Sequence, residues 1–465
     1  MQRKMILVLF YLSVFLPATV FGKDYFTAAV FEHRLQNFDA LDKTPLEVKN
    51  SNLKYFKKAV EVSAQKGADI ILFNEYGTYF TRSRERLLSY AEYVPDPRIQ
   101  KFNPCTKNNK DGHVLYTLSC LARENNIYIV ANLVSMQSCD STCDADQIDS
   151  CEFNCPEDGV FFYNTDVAFD REGNIVARYH KVHPYFEIVN APEEPEFAIF
   201  ETDFGKFGMV VCFDLVFEVA VLFVEEHGID TLLFPTYWFD DIVVLNAVEL
   251  QQSWAITNGV NLLAANTHAP GTGSLGSGIY SKADGALVYT YEPDGKSKLL
   301  IANLPIKENV KIPDISSMTE IVPDKAIPKI ETGEKFPENT AYSGLNHVKN
   351  YFQWCEEACV LTRCDPLDGK PCVAQPPTSK TVFQAVELKG NFKAKRVYPT
   401  VSMTKKRLAS KGEWDFNQNE VETILAFQSH SDVPLLKVGL LGRCYEKDPV
   451  FVPYYPTQFK KQPLM

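Results

Sequence analysis

Beyond its first 22 residues the chain has no apolar run long enough to cross a bilayer. It ends Tyr455-Pro-Thr-Gln-Phe-Lys-Lys-Gln-Pro-Leu-Met465, without the apolar tail that signals a lipid anchor, so no membrane anchor is expected. No cluster of Lys and Arg offsets the formal net charge of −12. Such an acidic surface repels polyanions, which excludes nucleic acid and anionic membranes as partners. There is no Asn-x-Ser/Thr sequon, so N-linked glycosylation is not expected. A Gly-x-Ser-x-Gly elbow, a Walker loop and a dinucleotide fingerprint are all missing, and no cofactor is expected.

What is present begins with an address. Arg3 and Lys4 precede the apolar run Met5 to Leu16, and Val20 and Gly22 offer compact residues for cleavage before Lys23. This reads as a secretory signal peptide over 1–22; Pro17 and the shortness of the run count against a membrane anchor. The 465 residues exceed what one core usually supports, so two domains are expected, and 45% hydrophobic residues allow a sizeable core. Twelve cysteines in a secreted chain favour disulfides. Cys139, Cys143, Cys151 and Cys155 crowd one loop, and Cys355, Cys359, Cys364 and Cys372 another, with Cys105, Cys120, Cys212 and Cys444 apart. The first cluster admits zinc as well as disulfides, and the connectivity stays open.

Four junctions join a helix-like segment to a short apolar strand through Gly or Asn: Gly67, Asn126, Gly228 and Gly259. Both residue types suit a left-handed helix C-terminus. Before the first junction Leu53, Phe56, Val60 and Ala64 share one helical face; before the fourth, Ala247, Leu250 and Trp254 do. Hairpin patterns at 161–180 and 278–291 make a mixed sheet the expectation. The alternation fades after Pro305. The expected organisation is an α/β domain over 23–306, a proline-rich linker over 307–340, and a small β-rich, disulfide-stapled domain over 341–465.

Three polar residues follow strand-like runs. Cys212 stands in Phe207-Gly-Met-Val-Val-Cys-Phe-Asp214, where a turn after an apolar run projects the thiol from a sheet rim and offers the Phe213 amide to a developing oxyanion. Glu75 follows Ile70-Ile-Leu-Phe-Asn74 and Lys181 follows Ile175-Val-Ala-Arg-Tyr-His180. A carboxylate could move the thiol proton, and an ammonium could lower the thiol pKa and stabilise the oxyanion. Taken singly, each also fits a plainer place: a core thiol, a solvated glutamate, a surface lysine. His180-Lys-Val-His183 could be a metal pair, but it lacks the glutamate of a zinc-protease motif, and no metal is expected.

Seven ordered segments resemble one family, the nitrilase (carbon–nitrogen hydrolase) superfamily, and within it the vanin (pantetheinase) and biotinidase branch. They are Phe26-Thr-Ala-Ala-Val-Phe-Glu-His33, Tyr163-Asn-Thr-Asp-Val-Ala-Phe-Asp170, Ala177-Arg-Tyr-His-Lys181, Phe207 to Asp214, Phe234-Pro-Thr-Tyr-Trp238, Gly276-Ser-Gly-Ile-Tyr280 and Gly442-Arg-Cys-Tyr-Glu-Lys-Asp448. The resemblance implies a four-layer α-β-β-α sandwich and a Glu-Lys-Cys triad: Glu75 as general base, Lys181 as cationic stabiliser, Cys212 as nucleophile. It also points to Glu187 as a second glutamate orienting the site and to Phe213 on the substrate side; for Trp238, which follows the strand beyond Cys212, pocket lining and core packing are both open. A small-molecule amide is the implied substrate, pantetheine or a biotinyl-amide; a non-catalytic secreted binding protein on the same fold is the alternative, against which the intact Glu75, Lys181 and Cys212 argue, and the oligomeric state stays open. The chain departs from the family pattern at His183-Pro184, where Asn-Leu is usual, and at Cys444, where relatives tend to be apolar.

Overall fold

The computed structural model describes residues 23–448 except 38–39, 108–112, 140–155, 157, 241–244, 308–310, 323–354, 364–377, 405–406 and 429–432. The expected signal peptide, most of the linker, and Cys143, Cys151, Cys155, Cys364 and Cys372 lie outside the described residues. In chain order the first part runs β1 (Tyr25–Glu32), α1 (Pro45–Gln65), β2 (Ile70–Phe73), α2 (Arg84–Tyr90), α3 (Pro104–Lys107), α4 (His113–Asn125), β3 (Tyr128–Ser138), β4 (Val160–Phe169), β5 (Ile175–His180), β6 (Ile199–Thr202) and β7 (Gly205–Met209). It continues with α5 (Glu218–Glu225), β8 (Thr231–Thr236), α6 (Ala247–Asn258), β9 (Asn261–Asn266), β10 (Ser277–Ser281), β11 (Gly285–Thr290), β12 (Lys298–Pro305) and β13 (Ser317–Glu320).

Local chemistry explains where these elements start and stop. Thr44 opens α1 with a reciprocal cap: its hydroxyl accepts the Glu47 amide proton at 3.3 Å, and the Glu47 carboxylate accepts the Thr44 amide proton at 2.8 Å. At all four junctions read from the sequence the backbone turns left-handed, with φ of 78°, 53°, 57° and 64° at Gly67, Asn126, Gly228 and Gly259. Only glycine takes that conformation freely and asparagine takes it better than most, so the chain stops a helix there and turns back into the sheet.

Two mixed sheets stack face to face, ordered β13-β12-β1-β2-β3-β4-β5 and β11-β10-β9-β8-β7-β6. Alternation along the strands sorts the layers: Ala28, Val30, Ile70 and Leu72 enter the core between the sheets with Met209 and Leu233, while Ala29, Phe31, Ile71 and Phe73 pack outward under α1 and α4. On the second sheet the outer cover is α5 and α6, whose Phe223, Leu250 and Trp254 are buried. This is the expected α-β-β-α sandwich. Both faces of the central strands are covered, which is why they read as continuous apolar runs.

The part expected as a linker is strand at one point, because β13 pairs antiparallel with β12 and adds an edge to the first sheet. A second, all-antiparallel unit holds β14 (Glu356–Thr362), β15 (Ala385–Gly390), β16 (Arg396–Thr404), β17 (Arg407–Leu408), β18 (Trp414–Gln418), β19 (Thr423–Gln428) and β20 (Lys437–Arg443). Its sheets, β14-β20-β16-β17 and β15-β19-β18, enclose Val397, Val401, Trp414, Phe427, Val438 and Leu440. Cys105 and Cys120 form a disulfide that ties α3 to α4, and Cys139 is also disulfide-bonded. Cys212, Cys355, Cys359 and Cys444 are free thiols. Among the described residues no helix is long and apolar enough to cross a membrane.

Candidate active site

The parallel pairs β1–β2, β2–β3, β7–β8 and β8–β9 fix one shared edge for several strand ends. β5 runs antiparallel to β4, and β4 to β3, so β5 points the same way as β2. Glu75 after β2, Lys181 after β5, Cys212 after β7 and Tyr237 after β8 therefore arrive together.

Cys212 opens a 3-10 turn, Cys212–Val216, and has φ of 47°. A side-chain-bearing residue in that region costs about 1–3 kcal/mol and persists only where its surroundings over-determine it. Asp214, fully buried, supplies much of that constraint. Its Oδ2 accepts from the Tyr179 hydroxyl at 2.9 Å and the Val211 amide at 3.3 Å. Its Oδ1 accepts from the His183 amide at 2.8 Å and lies 2.9 Å from His183 Nδ1. The His183 ring in turn stacks on Phe217 at 3.8 Å, which sets His183 against the Cys212 turn.

Beside the turn, Lys181 Nζ donates to Glu75 Oε1 at 2.8 Å and to Glu187 Oε1 at 2.5 Å. Asn164 on β4 spans the same two carboxylates, 2.6 Å from Glu75 Oε1 and 2.7 Å from Glu187 Oε2. Tyr76 donates its hydroxyl to Glu187 Oε2, and the Tyr237 amide donates to Glu75 Oε2 at 2.6 Å. Glu75 and Lys181 are each 1% exposed and Cys212 is 6% exposed. Tyr185, Phe186 and Glu187 form the least buried edge of this group.

Burial sets the proton positions. It pushes the Glu75 carboxyl above its usual range, helped by the Glu187 charge and opposed by Lys181 and by the bonds from Lys181 and Asn164. Burial would lower Lys181, yet attraction to the anionic forms of its neighbours, with the Cys212 sulfur as thiolate and the Glu187, Glu75 and Asp214 carboxylates, outweighs it and holds the lysine well above its usual value. Burial likewise pushes the Cys212 thiol far up, with Glu75 adding to it and Lys181, Thr236 and the Tyr237 amide pulling the other way. The sequence suggested a thiol pKa lowered by the lysine; Lys181 does pull it down, but burial outweighs that pull.

The residue model of the carbon–nitrogen hydrolase family, described as "Carbon-nitrogen hydrolase", matches residues 44–308, and one described as "Vanin C-terminal domain" matches 338–448. The chain is 34% identical to a pantetheinase of Mus musculus over 91% of this chain and 90% of that one. It is 35% identical to a biotinidase of Takifugu rubripes over 63% of this chain and 58% of that one. An amidase from Nesterenkonia sp. aligns with 61% of this chain and 92% of its own at 20% identity, with a TM-score of 0.41. The chain belongs to the carbon–nitrogen hydrolase family.

Of the six site residues expected for such a hydrolase, Glu75, Lys181 and Glu187 are in direct contact, and Cys212 lies within the electrostatic reach of Glu75 and Lys181. Phe213 packs between Tyr185, at 4.9 Å, and Phe217, at 5.1 Å. Trp238, for which pocket lining and core packing were both open, donates its indole N–H to the Leu245 carbonyl at 2.7 Å, and its ring lies in the core cluster beside Phe234. From that segment it is the Tyr237 amide that reaches the hydrolase site. His180 stacks on Tyr163 at 4.3 Å while His183 bonds Asp214, so the two histidines serve different neighbours. Among the described residues no group of three or more His, Cys, Asp or Glu gathers as metal ligands.

Asn164, Tyr76, Asp214 and Tyr237 were not singled out from the sequence. Asn164 and Asp214 lie inside segments that carry the family resemblance, which is the signal that could have found them. Behind Asn164, Asn132 Nδ2 donates to Asn164 Oδ1 and to Asp166 Oδ1, both at 2.7 Å. Burial pushes the Asp166 carboxyl well above its usual range against that bond.

Proposed function

We propose that this carbon–nitrogen hydrolase is a secreted thiol amidase that cleaves a linear amide of the pantetheine type through a Cys212 thioester. The observation that carries the reading is the buried Lys181 held between Glu75 and Glu187 at the strand edge that also bears the strained Cys212. The extent of the pantetheinase match, over 91% of the chain, supports the substrate class. The N-terminal Arg3-Lys4 and apolar run support secretion.

In this reading Glu75 takes the thiol proton as the sulfur attacks the amide carbon, so thiolate forms only when it is used. The oxyanion gains its stabilisation from the Phe213 amide and from Lys181, whose charge the two glutamates maintain. Collapse breaks the carbon–nitrogen bond, and Glu75 returns its proton to the leaving amine. Water then attacks the thioester, giving its proton to Glu75, and the acid and the thiol are regenerated. Glu187 and Asn164 keep Lys181 and Glu75 in register through these steps.

The test is a paired assay of pantetheine and biocytin hydrolysis with the purified secreted protein and its Cys212→Ser variant. Cysteamine release by wild type and none by the variant is the expected result. Lysine release from biocytin alone would move the substrate to the biotinidase type. Undiminished turnover by Cys212→Ser would reject the nucleophile.

A further inference from the structure

The last residue of β20 belongs to the C-terminal unit but ends at the nucleophile turn. Arg443 is 2% exposed, a depth at which a guanidinium needs a partner for each edge. All three of its nitrogens donate: Nε to the Val216 carbonyl at 3.0 Å, Nη1 to the Cys355 carbonyl and Nη2 to Asp448 Oδ2 at 2.6 Å. Its guanidinium also lies over the Tyr445 ring, 5.0 Å from the centroid. Val216 is the final residue of the turn that Cys212 begins. Carbonyls at the end of such a turn lack a donor within it, and here the donor comes from the other domain.

We propose that Arg443 is a positioning residue for the Cys212 nucleophile, through which the C-terminal domain takes part in catalysis. This rests on the reading that Cys212 attacks the amide. Asp214 holds the start of the turn and Arg443 holds its end, so the left-handed Cys212 backbone is fixed from both sides. A planar fork with three fixed acceptors resists rotation, which a flexible ammonium would not do as well. Released at Val216, the turn can relax toward ordinary backbone angles, and the sulfur moves with it. The same strand provides a matched comparison. Lys437, at its other end and also buried, pairs with Glu249 on α6 and so crosses the same domain boundary without touching the turn.

The experiment compares full-length wild type with Arg443→Met, Arg443→Lys and Lys437→Met by kcat, KM, thermal midpoint and the iodoacetamide labelling rate of Cys212 read by mass spectrometry. Arg443→Met is expected to lower kcat by roughly 10²-fold, the loss typical of a displacement of about 1 Å, while KM changes little. Its Cys212 labelling rate should change as well, and Arg443→Lys should restore part of kcat. Lys437→Met should lower the thermal midpoint and leave kcat and labelling near wild type. If Arg443→Met does not fold, Asp448→Asn, which frees one edge of the fork, should show the same kcat and labelling pattern more weakly. Unchanged kcat and labelling in the Arg443 variants, or losses that merely track the thermal midpoint in all variants, would overturn the proposal. If wild type hydrolyses no amide the amidase reading fails, yet the labelling rates still decide whether Arg443 positions the sulfur.

Discussion

In the proposed reaction Glu75 is a base at one step and an acid at the next, and its surroundings suit both roles. Burial raises its pKa; Lys181 and Asn164 restrain the rise. The base form is needed to take the thiol proton, so kcat/KM should fall as pH drops through the raised Glu75 value, above the 4.5 of an ordinary glutamate. Glu75→Gln removes the acid–base step and should cost roughly 10²–10⁴-fold in kcat, measured on any amide the wild type turns over. Asn164→Ala gives the more specific check. Its bond lowers the Glu75 pKa, so removing it should move the acid limb of kcat/KM toward higher pH. With a bond to a charged group worth about 1.5–3 kcal/mol, the loss near neutral pH should be roughly tenfold or more. A limb that stays in place would mean Asn164 does not tune the base.

At the scale of elements, the Cys212 turn depends on the Asp214 carboxylate, which is tied to β5 and to the segment after it through Tyr179 and His183. Asp214→Ala strips four hydrogen bonds from a buried site, and a cost of about 2–4 kcal/mol in unfolding free energy is expected from denaturant titration. Its kcat should fall further than that of a surface variant, since the Cys212 backbone loses what holds it left-handed. Much of this layout was legible in the chain. Apolar runs ending in Cys212, Glu75 and Lys181 located the strand ends, and Gly67, Asn126, Gly228 and Gly259 located the turns into the sheets. Asn164 was not singled out as a site residue, because within Asn164-Thr165-Asp166 nothing local marks which polar side chain reaches Glu75 and Glu187. The elevated Cys212 thiol was hidden for another reason: its desolvation sums over core atoms from both sheets, which no local pattern records. At Trp238 the sequence left pocket wall and core packing open, because a tryptophan after a strand end fits either, and its bond to the Leu245 carbonyl depends on a loop that no local pattern records.

For the whole molecule the question is whether the two units unfold apart. Domain interfaces within a chain are often polar and weak, which lets units move and melt separately. This one is different in kind. Tyr398, Leu408 and Leu441 of the C-terminal unit belong to the same buried cluster as Met209 and Leu263 of the sandwich. α6 is covered by β9 and β10 on one side and β16 on the other. Polar contacts seal the edges: Arg396 donates to Asn258 at 2.7 Å, the Leu408 amide to the Tyr289 hydroxyl at 3.1 Å, and Lys437 pairs with Glu249 in full burial. Separating the units would expose apolar core at about 25 cal/mol per Å² and strand buried charges, a cost neither unit recovers alone. Scanning calorimetry should therefore record one cooperative transition, with hydrolysis lost at the same temperature by an independent activity measurement. Two resolved transitions, with activity surviving the first, would show that the C-terminal unit only decorates the sandwich and that its strand β20 bears no load on the Cys212 turn.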